Sequence, residues 1–207
     1  MLQIHGKRTV TIVAGCGRSG KTSFALRYLL NAPLVARFIF DPETEYSQRL
    51  KLLAAQDEFD LAVQLCRGWV VFNPHAMFAG RLQEAFRWFC AWAFDCSCKM
   101  PGQKVLVVDE VWRYANPQKM PIELSTVCQT GSKRGLGLMV NTQLPNKLNG
   151  SILNECSEFV CFRLQFDACL AVAQDFGFDR DEIQQLAPLS FVSRTDVGGE
   201  LRGKIRF

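Results

Sequence analysis

The sequence has no run of about 18 apolar residues, so no segment reads as a membrane-spanning helix. It has no basic stretch followed by an apolar one at its start, the pattern of a secretory leader. Low-complexity tracts and internal repeats are absent too, and nothing in the composition suits a disordered or collagen-like chain. Cys96-Ser-Cys98 has no second close cysteine pair to complete a zinc site. The nine cysteines are an odd number in a chain too large for a small secreted module, so they read as reduced thiols, not a disulfide framework. What remains is a soluble, intracellular protein that is not secreted. Its 207 residues are enough for one sizeable core, and one domain spanning residues 1–207 is expected. The net charge of +4 permits contact with nucleic acid without requiring it.

The most informative stretch is GCGRSGKT, residues 15–22. It is preceded by the β-branched, apolar segment Thr9 to Ala14 and followed by helical apolar spacing from Ser23 to Leu30. A glycine-rich loop between a strand and a helix is the setting a phosphate-binding P-loop needs, and Gly15, Gly20, Lys21 and Thr22 fill its pattern without a gap. Backbone N–H groups of Gly15, Cys16, Gly17, Arg18, Ser19, Gly20, Lys21, Thr22 and Ser23 are therefore candidates to cradle a nucleotide's phosphates. In this pattern Lys21 reaches the β and γ phosphates and the Thr22 hydroxyl ligates Mg2+, which makes ATP and Mg2+ the expected ligands.

Further strands are expected at Leu34 to Phe40, Trp69 to Phe72, Lys104 to Val108, Leu136 to Asn141 and Glu158 to Leu164. A helix is expected from Tyr46 to Leu53, and DFGFDRDEIQQL (residues 175–186) reads as one helix with Asp at its start. Residues 81–95 place Leu82, Phe86, Phe89, Cys90 and Ala93 on one helical face, while Trp88 and Trp92 make the other side apolar as well. That helix is either buried on two sides or meets another subunit. The end of the chain reads as a hairpin around Gly198-Gly199, whose Arg194, Arg202, Lys204 and Arg206 either face DNA or are simply solvated. Strands alternating with helices predict an α/β fold, a three-layer arrangement around a mainly parallel sheet with a C-terminal β-hairpin. Ligands then bind at the carboxyl ends of the strands.

Asp109 and Glu110 follow directly on the apolar strand 104–108. The first acid at such a strand end suits the Mg2+ shell, and the second suits the base that orients the attacking water. The strand 136–141 ends in Thr142-Gln143. Gln143 either contacts the γ-phosphate or lytic water, or merely caps the strand. Lys133 and Arg134 lie in a tight turn upstream. Arg134 is either an arginine that stabilises phosphoryl charge in a neighbouring subunit's site, or part of a solvated basic turn, or of one that touches nucleic-acid phosphate.

The succession GCGRSGKT, FIFDPETEY, VLVVDEVWRY, QTGSKRGLGLMVNTQLPNKLN and EFVCFRL, over roughly residues 9 to 165, resembles the FtsK/HerA superfamily of P-loop ATPases. Its single-domain form is similar to the genome-packaging ATPases of icosahedral viruses with an internal membrane, such as tectivirus-like phages and related archaeal viruses. The resemblance implies a RecA-like core, a homo-oligomeric ring, and ATP hydrolysis coupled to movement of double-stranded DNA. It also implies Glu110 as catalytic base, Gln143 as sensor, Arg134 as a finger acting in trans, and Asp109 with Thr22 at Mg2+. Asp41 and Glu45 match an acidic strand end of the family but receive no role. The implied locations are the host cytoplasm and the packaging vertex of a virion, with capsid-vertex or virion membrane proteins as further partners.

Nothing in the sequence makes room for an N-terminal β-barrel, a membrane domain or a winged helix, which sets it apart from larger members of that superfamily. A plasmid or conjugative DNA-transfer ATPase is the alternative that uses the same residues. A small-molecule phosphotransferase would need an arginine-rich lid, which is not found, and a nucleotide-organised scaffold would not need Glu110.

Overall fold

The computed structural model describes residues 10–205; Thr9 of the first expected strand and Arg206 of the terminal hairpin lie outside the described residues. Eight strands form one sheet: β1 (Val10–Ala14), β2 (Ala36–Phe40), β3 (Trp69–Phe72), β4 (Lys104–Asp109), β5 (Leu136–Thr142), β6 (Cys156–Phe162), β7 (Ser190–Thr195) and β8 (Glu200–Lys204). The helices are α1 (Lys21–Asn31), α2 (Glu45–Leu50), α3 (Glu58–Cys66), α4 (His75–Phe78), α5 (Leu82–Lys99), α6 (Ile122–Thr130), α7 (Gly150–Asn154), α8 (Asp167–Asp175) and α9 (Arg180–Gln185).

The strand order is β3-β2-β4-β5-β1-β6-β7-β8. The first six in that order run parallel, and β7 and β8 close the sheet as an antiparallel hairpin. β1 to β6 carry continuous apolar runs because both faces of the sheet are covered, as parallel sheets require. Along β4, Leu106 and Val108 enter one core with the buried side of α5 and α6, while Val105 and Val107 enter the other with Phe24 and Leu29 of α1. This alternation of side chains makes the three layers.

The helix expected at residues 81–95 forms as α5 and is buried on one side. Phe86, Phe89, Cys90 and Ala93 face the sheet, and the half-buried Trp92 and Trp88 pack edge-on or tilted against Phe38 and Phe72 at 5.8 Å and 5.7 Å. Its second side is thus only partly covered by the core.

Two expected helices are shorter. α2 starts at Glu45 and stops at Leu50, because Lys51 turns into the left-handed region (φ 55) and returns its N–H to the last helical carbonyls. Residues 175–186 do not make one helix: α8 ends at Asp175, Gly177 reverses the chain at φ +81, and the Asp179 carboxylate caps a second helix, α9, through the Glu182 N–H at 2.7 Å. The terminal hairpin forms as expected, with Gly198 at φ +83 in its turn. Two of its cations are engaged within the chain. Arg194 lies over the Phe178 ring and pairs with Glu200 at 2.6 Å, and Arg202 pairs with Glu182 at 2.9 Å.

Candidate functional site

The carboxyl ends of β1, β4 and β5 are neighbours because those strands pair in register, Ala14 opposite Thr142 and Asp109 opposite Asn141. The GCGRSGKT loop leaves β1 at this edge and enters α1. Together with the segments after β2, β4 and β5 it lines a cleft of about 480 Å3.

The loop's shape follows from its hydrogen bonds. Gly15 N–H bonds Thr142 C=O and Cys16 N–H bonds Arg163 C=O, so the first two residues, although expected to cradle phosphate, extend the sheet instead. The N–H groups left to face the cleft come later. The first bond of α1 runs from Phe24 N–H to Gly20 C=O, leaving the preceding amides of Lys21, Thr22 and Ser23 at an unpaired helix N-terminus. Gly20 precedes the helix at φ +114, and no side chain caps it. The first turn holds no acidic residue, so the helix dipole presents its positive end to the cleft without compensation. Gly17, Arg18, Ser19, Gly20, Lys21, Thr22 and Ser23 all line it, and the Ser19 hydroxyl is buried with no partner.

Lys21 lies folded back on the loop, its Nζ donating to Gly15 C=O at 2.9 Å and Cys16 C=O at 3.0 Å. Burial pulls its pKa down, and the nearby Glu110 and Asp109 charges oppose that shift. A phosphate replacing those two carbonyls would satisfy the ammonium better.

Asp109 is held in a buried chain of hydrogen bonds. The Asn141 amide donates to the Tyr46 hydroxyl at 2.7 Å, and that hydroxyl donates to Asp109 Oδ1 at 3.3 Å. Burial raises the Asp109 pKa from 3.8 to about 7, and the carboxylates of Glu45 and Glu110 add to the rise. The donors that line this part of the cleft, Thr22, Asp109 and Glu110, are oxygens of the kind Mg2+ prefers.

Glu110 takes the left-handed conformation at φ 46 and ψ 49. Both of its carboxylate oxygens accept the Gln143 backbone N–H at 3.1 Å, and Oε2 also accepts the Trp112 indole N–H at 2.6 Å. Gln143 itself lines the cleft beside the loop. The structure thus brings Lys21, Thr22, Asp109, Glu110 and Gln143 together.

Arg134 stands elsewhere. It lies just before β5, whose carboxyl end borders the cleft, so the length of β5, about 20 Å for its seven residues, separates the two. It cannot reach the phosphate site of its own chain. Arg134 is exposed, and so are Arg67, Lys99 and Lys133 near the same end of the sheet. Asp41, which received no role, is structural: its buried carboxylate accepts the N–H groups of Tyr46 and Ser47 at 3.1 Å and 2.8 Å and so fixes the start of α2. Glu45 faces the cleft and pairs with Arg49 at 3.1 Å.

Sequence reasoning missed Tyr46, Asn141 and Trp112 as members of the site. For Asn141 a signal existed, a polar residue inside an otherwise apolar strand.

No family model matches the chain, and no curated protein matches it. Solved structures do share its fold. The genome-packaging NTPase B204 of Sulfolobus turreted icosahedral virus 2, in complex with AMP, superposes with a TM-score of 0.75 at 16% identity, over 98% of this chain and 100% of that one. B204, the DNA-packaging ATPase of Sulfolobus Turreted Icosahedral Virus, gives 0.71 at 17% identity, over 96% and 98%. VirB4 of Thermoanaerobacter pseudethanolicus gives 0.63 at 13% identity, over 96% and 89%. The fold is that of the P-loop NTPases, as the sequence led one to expect. Among the described residues no helix is long and apolar enough to cross a membrane.

Proposed function

We propose that the chain is an ATP-hydrolysing motor that moves double-stranded DNA into a viral capsid. The observation that carries this reading is the convergence of Lys21, Asp109, Glu110 and Gln143 in one cleft, in a chain that superposes end to end on a viral packaging NTPase. In this reading the triphosphate lies along residues 17–23. Lys21 leaves the loop carbonyls for the β and γ phosphates, and the amides at the start of α1 hold the phosphate oxygens. Thr22 and Asp109 would hold Mg2+, which would supply charge neutralisation to the phosphates. Glu110 takes the proton of the attacking water, and Gln143 acts as sensor of the γ-phosphate.

Because Arg134 lies at the far end of β5, its finger role requires a second subunit that presents its cleft to this end of the sheet. That fits a homo-oligomeric ring whose partners include capsid-vertex or virion membrane proteins, in the host cytoplasm or at the packaging vertex. The likeness to VirB4 supports a DNA-transfer ATPase as second reading.

Steady-state ATP hydrolysis with and without double-stranded DNA, at low salt and several protein concentrations, tests the proposal. Stimulation by DNA with activity rising more than linearly with protein supports it. Activity that is proportional to protein and indifferent to DNA overturns it.

A further inference from the structure

Glu110 has a geometric problem that its neighbours solve. A non-glycine residue in the left-handed region is held there only when its surroundings fix it, and Glu110 sits there at φ 46. The chain then enters a single 3-10 turn, Val111–Arg113, closed by Arg113 N–H to Glu110 C=O at 2.9 Å and by Tyr114 and Ala115 N–H to Val111 C=O at 2.9 Å and 2.8 Å. Gln83 braces the turn from α5 by donating to Arg113 C=O at 2.5 Å. The turn carries the indole of Trp112 back onto the carboxylate two residues earlier, where its N–H meets Glu110 Oε2 at 2.6 Å. The ring is fixed in turn: Lys147, in the turn after β5, places its ammonium 4.7 Å from the ring centre.

We propose that Trp112 is the positioning residue for Glu110, and that Lys147, acting through the Trp112 ring, completes the clamp. This rests on the reading of Glu110 as the base in ATP hydrolysis. A carboxylate at the end of three rotatable bonds swings between rotamers, and catalysis by a base depends on its reach to the proton it takes. The backbone N–H of Gln143 anchors the carboxylate from β5 and the indole N–H anchors it from the 3-10 turn. These contacts take three of the carboxylate's roughly four acceptor positions and leave one, on Oε1, for water. The strain at Glu110 and the tight turn serve that anchoring, because an extended residue at position 110 would not bring the indole back to its own neighbour's carboxylate.

The test uses the full chain. Trp112→Phe keeps an aromatic ring for Lys147 and removes the N–H together with one of the indole's two rings. The expected result is a fall in kcat of about tenfold or more, the usual effect of losing a hydrogen bond to a charged group, with KM for ATP within about twofold of wild type. Lys147→Met keeps the indole N–H and frees the ring, and a smaller fall in kcat, about two- to threefold, is expected at constant KM. Unchanged kcat in a folded Trp112→Phe variant overturns the proposal, as does a rise in KM that accounts for the whole loss. If Trp112→Phe does not fold, Lys147→Met decides on the same criteria. A wild-type chain that hydrolyses no ATP overturns the proposed function itself, whereas hydrolysis that ignores both substitutions overturns this inference alone.

Discussion

The Tyr46 hydroxyl donates to Asp109 Oδ1 at 3.3 Å, although 63 residues separate the two in the chain. The same hydroxyl accepts from the Asn141 amide at 2.7 Å, so three segments that follow β2, end β4 and end β5 are tied by one buried oxygen. Tyr46→Phe is expected to destabilise the fold by about 1–3 kcal/mol, because it leaves the buried Asn141 amide without its acceptor. Asn141 Oδ1 is already unpartnered. Chemical denaturation of wild type and variant measures the difference; equal midpoints would contradict the account.

The acid Asp109 gives a pH signature. Its folded pKa of about 7 lies above the ordinary 3.8, mainly because of burial. Between roughly pH 4 and pH 7 the unfolded chain has released a proton that the folded chain keeps, so this group's favourable contribution is full below that window and is lost as pH rises through it. At the steepest part the slope is about 1.4 kcal/mol per pH unit. Asp109→Asn is expected to remove that slope and to be more stable than wild type near pH 7 without metal or nucleotide. Thermal unfolding of both chains from pH 4 to 8 checks it, and parallel curves would refute the assignment.

Gly15 and Gly17 differ in what they permit. A Cβ at Gly15 would lie 2.6 Å from Phe162 Cβ and 2.6 Å from Ser19 Oγ, whereas one at Gly17 would have its nearest neighbour, Gln143 Oε1, at 3.6 Å. Gly15→Ala should therefore cost about 1–3 kcal/mol of stability and displace the loop, while Gly17→Ala leaves stability within about 0.5 kcal/mol. Melting temperatures of the two variants decide this.

Turnover and binding separate at Glu110. Glu110→Gln keeps the side chain's size and an acceptor oxygen for the Gln143 N–H, and is expected to bind a fluorescent ATP analogue as wild type does while losing hydrolysis by about 100-fold or more. Retained hydrolysis would remove Glu110 from the role of base.

Much of this was legible in the sequence because it is local. The glycine-rich loop reads directly from a strand, a glycine pattern and a helix start, and each parallel strand reads from a run of apolar residues buried on both faces. The acids Asp109 and Glu110 read from their place at the end of such a run. The helix ends that failed, at Lys51 and Gly177, turn on single left-handed residues inside otherwise helical patterns. Tyr46, Asn141 and Trp112 stayed hidden for a different reason. Tyr46 and Asn141 acquire their role only when β2, β4 and β5 lie side by side, and Trp112 only when Glu110 adopts a backbone conformation that its residue type disfavours. The remoteness of Arg134 from its own cleft likewise depends on strand direction, which the turn sequence does not state.

For Arg134, geometry makes the prediction one about mixtures. Arg134→Ala subunits keep an intact cleft and Lys21→Ala subunits keep an intact arginine, so mixing the two inactive chains is expected to restore part of the hydrolysis. Mixtures as inactive as either chain alone would count against a finger acting in trans.

The most direct test of the central claim is ATP-dependent displacement of a third strand from a triplex on linear double-stranded DNA. A translocating motor is expected to strip the third strand with ATP and Mg2+, and not with a non-hydrolysable analogue or with Glu110→Gln. Hydrolysis that DNA stimulates but that leaves the triplex intact would contradict translocation.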